Sequence, residues 1–419
     1  MFPRKRREMT DYWPRVIDSQ LEQYLDSLGG VLIDGPRATG KSETASAHSV
    51  SSVRLDTNPQ LRELAQLVPE RVLEGSTPRV VDEWQLAPEL WNTARSIIDQ
   101  RGSSGQFIFT GSAVPQDDIT RHSGVGRFGR LLLRPMSLFE SRDSTGEVSF
   151  SQLIEGEVPA GIGGPTVEEY AALTTRGGWP ALVTGQAKRP SVYLDAYLDG
   201  ISRAELLTEA RKADPLRMKA LIRALARNTA TEISQNKLAG EADLDSKSVR
   251  NYLDTLTRLF VLEEQPAWSP KLRSRVRTRV KAKWHFVDPS LSARALDCSA
   301  KRLLEDLETF GFLFESLCIR DLRVYAGASG GTVFHYRDDT GLEVDAIVQF
   351  PDGRWAAFEV KLGGERAIEQ GARNLQALAQ KVDDEHRNRL CNLTVLTAGN
   401  TSYPRKDGTN VVSLGHMRP

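Results

Sequence analysis

An α/β fold, with a parallel sheet at the front of the chain and alternating strands at the back, is what this sequence predicts, on three observations. The octapeptide Gly35-Pro36-Arg37-Ala38-Thr39-Gly40-Lys41-Ser42 follows directly on the apolar run Val31-Leu32-Ile33. Short apolar runs alternate with helical patterns through residue 145, the order that builds a parallel sheet covered by helices. From residue 303 a helix leads into strands at 332–338, 342–350 and 354–360, then a helix at 364–380 and a strand at 393–397.

The octapeptide has the form G-x-x-x-x-G-K-[ST], a phosphate loop, in the strand-before and helix-after context that its chemistry needs. Its glycines let the backbone turn N–H groups inward around a polyphosphate. Lys41 reaches toward the β- and γ-phosphates, and the Ser42 hydroxyl suits Mg²⁺. The expected ligand is a nucleoside triphosphate, ATP, with Mg²⁺.

Candidate strands in this part are 31–34, 52–56, 79–82, 106–110 and 130–133. Arg79-Val80-Val81-Asp82-Glu83 is an apolar strand ending in two carboxylates, the form of a Walker B element. There Asp82 manages the metal and Glu83 polarises the attacking water. The strand Gln106–Thr110 ends in Gly111-Ser112, so Ser112, with Thr110 second, is the expected sensor near the γ-phosphate. Arg127, Arg130 and Arg134 follow; Arg127 and Arg130 are the expected offsets for transition-state charge, or else plain surface residues.

Composition sets bounds without naming a partner. With 419 residues there is room for about three domains. Lys+Arg and Asp+Glu are 55 each, so only local charge can point to a ligand. The three cysteines, Cys298, Cys318 and Cys391, are scattered, which excludes a disulfide framework and a four-cysteine zinc site and fits a reducing cytoplasm. No apolar run is long enough for a membrane span.

Behind the front domain, 143–165 is rich in Gly, Ser and Glu and reads as a linker or lid. Farther on, a short helix at 231–242, a longer one opening at Asp245-Ser246 and the apolar run Phe260–Glu263 follow in the order of a winged helix-turn-helix. Such modules bind DNA or serve as packing units. In 271–283 every odd position is basic: Lys271, Arg273, Arg275, Arg277, Arg279, Lys281 and Lys283. On a strand, that period puts all seven on one face, which no core accepts. The expected role is phosphate contact, carried chiefly by Arg273, Arg275, Arg277 and Arg279; an exposed wing paired with acidic groups is the other reading.

The motif set Gly35–Ser42, Val81-Asp82-Glu83-Trp84-Gln85, Phe109–Ser112 and 126–140 resembles a family of bacterial and archaeal AAA-superfamily ATPases with a C-terminal domain related to restriction endonucleases. Tyr12-Trp13-Pro14-Arg15, Gly177-Gly178-Trp179-Pro180 and Trp284-His285-Phe286-Val287-Asp288 extend that resemblance over nearly the whole chain. It implies an AAA-type P-loop core at 1–145, a lid and helical linker at 146–215, a winged-helix-like module at 216–290 and a nuclease-like α/β domain at 291–419. In the last, Glu315, Asp345, Glu359 and Lys361 resemble the nuclease constellation, whose carboxylates hold Mg²⁺ while the lysine positions water. The same residues also suit a buried Asp–Lys ion pair. The resemblance thus implies an ATPase whose C-terminal half engages nucleic acid, with or without cutting it; a nucleotide-gated scaffold with an inactive nuclease-like domain is the alternative. A homo-oligomer fits either reading.

Overall fold

Among the described residues, five strands carry the first part of the chain: β1 (Gly30–Asp34), β2 (Ser51–Arg54), β3 (Arg79–Asp82), β4 (Phe107–Thr110) and β5 (Phe128–Leu132). All pair in parallel, in the order β2-β3-β4-β1-β5. β1 and β4 are buried at every position, as central parallel strands covered on both faces must be, which is why they read as unbroken apolar runs. Because β4 lies between β1 and β3, three neighbouring strands deliver Gly35, Glu83 and Gly111 to one edge of the sheet. The computed structural model describes residues 12–111, 124–204, 214–271 and 281–419.

Helix Glu89–Arg101 buries Leu90, Trp91, Ala94 and Ile98 along one stripe and ends at Gly102, whose φ of 60° is the left-handed turn that glycine adopts freely. Its Trp91 stacks on Phe128 at 4.3 Å and meets Phe109 edge-on at 5.7 Å. Aromatic pairs in these geometries add roughly 0.5–1.5 kcal/mol beyond the area they bury.

The chain divides after Arg134 into two compact units, residues 258–260 counting with the first. The second unit holds the remaining strands: β6 (Val148–Ser149), β7 (Gly161–Ile162), β8 (Leu262–Gln265), β9 (Lys283–Phe286), β10 (Thr332–Arg337), β11 (Glu343–Gln349), β12 (Trp355–Lys361), β13 (Leu390–Thr397), β14 (Thr401–Pro404), β15 (Asn410–Ser413) and β16 (Met417–Arg418). Seven of them form a mixed sheet in the order β10-β11-β12-β13-β15-β14-β7. β10, β11 and β12 are antiparallel neighbours; β12, β13 and β15 are parallel.

Alternation along β12 assigns the two faces. Ala356, Phe358 and Val360 pack with Phe310, Phe314 and Leu317 of helix Leu307–Ala328. Trp355 and Ala357 pack with Ala372 and Leu375 of helix Glu365–Lys381. The result is a helix–sheet–helix sandwich. Ahead of it, helices Pro215–Arg227, Gln235–Ala242 and Ser246–Arg258 precede the antiparallel hairpin of β8 and β9.

Residues of the expected linker at 143–165 take part in sheet pairing. β6 pairs with β16, and β7 pairs with β14 at the edge of the seven-stranded sheet. A Gly-, Ser- and Glu-rich composition looked like free chain because its backbone partners lie more than 200 positions later. Leu138, within the expected 1–145 segment, packs in the second unit's core, and its N–H donates to Asp321 at 2.9 Å.

Two of the sequence marks meet in that core. Asp288 accepts from the Gly178 N–H at 2.9 Å, and Trp179 Nε1 donates to Ser290 at 3.0 Å. A Cβ at Gly178 would lie 2.0 Å from the Met136 carbonyl oxygen, so only glycine fits this crossing. Arg320 donates to Asp288 at 2.8 Å and to Asp321 at 2.8 Å, all three being buried. The Gly-Gly-aromatic-Pro and strand-Asp marks are therefore the two sides of one buried polar joint.

Candidate functional site

Gly35, Ala38 and Gly40 have φ of 148°, 62° and 91°, which bends the segment after β1 into the cradle expected of a phosphate loop. A Cβ at Gly35 would lie 2.3 Å from the Leu133 carbonyl oxygen, so that position is restricted to glycine by both φ and space. Pro36, Arg37 and Thr39 complete the bend; the Thr39 hydroxyl donates to the Pro36 carbonyl at 3.0 Å. Lys41, buried, donates to the carbonyls of Gly35 at 2.9 Å and Pro36 at 2.7 Å. Burial draws its pKa down to about 8, against the opposing charges of Glu83, Asp34 and Asp82. Asp34, which closes β1, is pushed up to about 6 by burial, with Arg130 and Lys41 pulling the other way.

The strand tips converge on Asp82. It accepts from Ser42 Oγ at 2.9 Å and from the Thr110 hydroxyl in a short hydrogen bond. Thr110, the second choice for the strand-tip hydroxyl, is thus in contact with Asp82; Ser112, the first choice, lies outside the described residues. Glu83 has φ of 56°, uncommon for a residue with a side chain and costing energy that the fold must supply. Its carboxylate accepts from the Gln85 amide. A hydroxyl and a carboxylate already side by side form a hard-oxygen donor pair, and Mg²⁺ takes one or two carboxylates plus phosphate and water. Ser42 and Asp82 therefore fit Mg²⁺.

The arginines separate. Arg130 lies in register with Leu32, and its guanidinium reaches within 3.8 Å of Asp34 at the cradle's edge. Arg127 does not belong there. Its carbonyl accepts from the N–H of Gly30, the first residue of β1, so it sits at the opposite edge of the sheet, roughly 13 Å along the strand from Asp34. Its side chain forks onto Asp99 of helix Glu89–Arg101 at 2.9 and 3.4 Å. A three-residue sequence interval cannot distinguish the two ends of a short strand, which is why both arginines looked eligible. Arg127→Ala is expected to leave steady-state ATP turnover within about twofold of wild type, as substitutions remote from a site do; a tenfold loss in a phosphate-release assay would reinstate it.

Two participants escaped the sequence reading. Arg15 donates to the Thr39 carbonyl at 2.8 Å and to the Arg134 carbonyl at 2.8 Å, bracing the cradle from the segment before the first helix. Its only signal was its place in Tyr12–Arg15. Arg54, on β2, lies 3.6 Å from Asp82, and nothing in its local sequence marks it.

The second unit holds the other constellation. Glu315 on helix Leu307–Ala328, Asp345 on β11 and Glu359 and Lys361 on β12 do come together. Lys361 Nζ lies 2.5 Å from Glu359 and 3.5 Å from Asp345. Asn374 Nδ2 donates to Glu359 at 3.1 Å. Gly371 brings helix Glu365–Lys381 close: a Cβ there would meet the Glu359 Cβ at 3.2 Å.

Lys283, counted above among the exposed basic row, is instead buried here. Its Nζ lies 2.9 Å from Glu315, 2.8 Å from Glu343 and 3.8 Å from Asp345. A row of like charges is barred from an apolar core, but one ammonium is accepted where carboxylates wait for it. Lys271 and Lys281 are exposed, while Arg273, Arg275, Arg277 and Arg279 fall outside the described residues. Burial pushes the Glu315 carboxyl up to about 8, with Lys283 drawing it down. Burial and the Asp345 charge push Glu359 up to about 8. Burial disfavours the charged form of Lys283, but Glu315, Asp345 and Glu343 outweigh it and hold the ammonium protonated. Among the described residues no group of three or more His, Cys, Asp or Glu is set to hold a metal ion, and none of the helices is long and apolar enough to cross a membrane.

Three family models match the chain. An AAA domain model matches residues 29–141. Domains of unknown function match residues 167–302 (DUF8612) and 310–417 (DUF4143). Uncharacterized proteins of Mycobacterium tuberculosis and Mycobacterium bovis are each 23% identical over 379 residues, covering 88% of this chain and 80% of the relative. Residues 29–141 are thus similar to an AAA domain, in keeping with the P-loop geometry at the front of the chain.

Proposed function

We propose that this chain is a Mg²⁺-dependent ATPase that uses ATP to set the state of a C-terminal half built to engage a macromolecule. The observation that carries this reading is the meeting of Lys41, Ser42 and Asp82 at one sheet edge, with Ser42 Oγ 2.9 Å from Asp82. Gly35 through Ser42 would hold the triphosphate. Lys41 would offset its charge, and Ser42 and Asp82 would hold Mg²⁺, which supplies charge neutralisation on the phosphates. Glu83, oriented by Gln85, would polarise water, and Arg130 is the arginine whose placement suits the γ-phosphate. Phosphate release with and without Mg²⁺, in the presence of single-stranded, double-stranded or no DNA, tests this. Mg²⁺-dependent turnover is expected, and its absence sinks the reading.

Two observations bear on the second half. The order helix, helix, β8, β9 and the basic residues between those strands support nucleic acid as the engaged partner. The order helix Leu307–Ala328, β10, β11, β12, helix Glu365–Lys381, β13 supports a nuclease-like fold. Lys283 among the carboxylates favours binding over cutting, as in the nucleotide-gated regulator or scaffold. Stimulation of turnover by DNA is the expected result for nucleic-acid engagement; no stimulation and no low-salt binding would favour a protein partner.

A further inference from the structure

A nuclease-like constellation of Glu315, Asp345, Glu359 and Lys361 implies a divalent ion among its carboxylates, and the residues present do not fit one. Lys283 already satisfies Glu315 and Glu343 at 2.9 and 2.8 Å, and Lys361 satisfies Glu359 at 2.5 Å. Asp345 stands between the two ammoniums, 3.8 and 3.5 Å away, and its Oδ2 also accepts the Val360 N–H at 2.8 Å. Every carboxylate of the set has a cationic partner from this chain.

We propose that Lys283 is the resident cation of this cluster, standing where a divalent ion would, and that it latches the β8–β9 hairpin onto helix Leu307–Ala328 and β11. The latch has further fastenings on the same surfaces. Gln265, opposite Lys283 in the hairpin, donates to the carbonyls of Asp345 at 2.8 Å and Phe334 at 3.0 Å. His285 bridges Gln265 and Ser316, at 2.9 Å to each. Arg323 donates to Glu263 at 2.6 Å and to the Glu264 carbonyl at 2.8 Å. Each strand of the hairpin is therefore held to the helix through buried or half-buried polar pairs, and Lys283 is the member that carries charge into the carboxylates. Such pairs specify geometry well, because breaking one leaves an uncompensated charge in a dry site. The inference stands on the second unit alone and holds whether or not the front site hydrolyses ATP.

The test uses Mn²⁺ as probe on the full chain without nucleotide, read by equilibrium dialysis and by thermal melting. Wild type should show no Mn²⁺ site that Asp345→Asn removes, and no Mn²⁺-dependent rise in melting temperature. Lys283→Ala should melt lower by more than about 5 °C, gain one Mn²⁺ site and recover stability with millimolar Mn²⁺. Adding Asp345→Asn to that variant should cancel both gains. If Lys283→Ala does not fold without metal, refolding it with Mn²⁺ decides: recovery supports the proposal and failure overturns it. Acetylation of wild type followed by peptide mass spectrometry gives a second readout that needs no variant. Lys283 should stay unmodified with or without Mn²⁺; labelling induced by Mn²⁺, or a wild-type Mn²⁺ site lost in Asp345→Asn, overturns it.

Discussion

Lys41→Ala is expected to remove ATP binding, and Glu83→Gln to retain it while stopping turnover. Lys41 is buried beneath the cradle, with its ammonium held by the carbonyls of Gly35 and Pro36. Hydrogen bonds to charged groups are worth roughly 1.5–3 kcal/mol each, so losing the two that Lys41 would make to the β- and γ-phosphates should weaken affinity by at least about 100-fold. Glu83 accepts from the Gln85 amide, and glutamine keeps the size while removing the proton-accepting charge. Loss of that role should slow phosphate release by about 10²–10⁴-fold with little change in affinity. Calorimetric titration with ATP and a phosphate-release assay measure the two effects apart. If Lys41→Ala binds ATP as wild type does, the cradle is not the nucleotide site; if Glu83→Gln turns over normally, Glu83 leaves the mechanism.

Arg320→Ala should destabilise the second unit by about 3–5 kcal/mol, the largest stability effect the structure implies. The guanidinium is wholly buried between Asp288 and Asp321, and burial alone would disfavour its charge; the two aspartates outweigh that and keep it protonated. Deleting it leaves two carboxylates in a dry site. Asp288 would still accept from the N–H groups of Gly178 and Ser290, and Asp321 from that of Leu138, so part of each charge stays solvated by the backbone. Adding Asp288→Asn and Asp321→Asn to Arg320→Ala should return part of the loss, because the charges then go with their partner. Denaturant unfolding followed by intrinsic tryptophan fluorescence checks both. A single variant within about 0.5 kcal/mol of wild type would show that the triad contributes no net stability.

The front half was legible because its information is local. A central parallel strand must be apolar, a phosphate loop must bend on glycine, and a metal-managing carboxylate must end a neighbouring strand, so Val31–Ser42 and Val80–Glu83 announce themselves. What stayed hidden depends on which end of a strand a residue occupies, as Arg127 shows, or on pairing across long sequence distance. The alternation of basic residues ends at Lys283, where β9 begins, and its four arginines lie outside the described residues. It gave the wrong side for Lys283, because the facing carboxylates sit on a helix and a strand 32 and more positions later. Glu343 and Arg15 had no pattern of their own. Gly178 and Asp288 were visible as marks, yet only the fold explains them as partners in one joint.

The pairing of β6 with β16 and of β7 with β14 has a consequence for synthesis. A ribosome finishes the five-stranded sheet early, and that sheet can close while the rest is still being made. The second unit cannot: it is stitched together from residues 148–162 and residues beyond 400. The intervening polypeptide must wait, with apolar surface uncovered, until residues 401–418 have been made. Chaperone dependence in the nascent state should therefore concentrate in the latter two-thirds of the molecule.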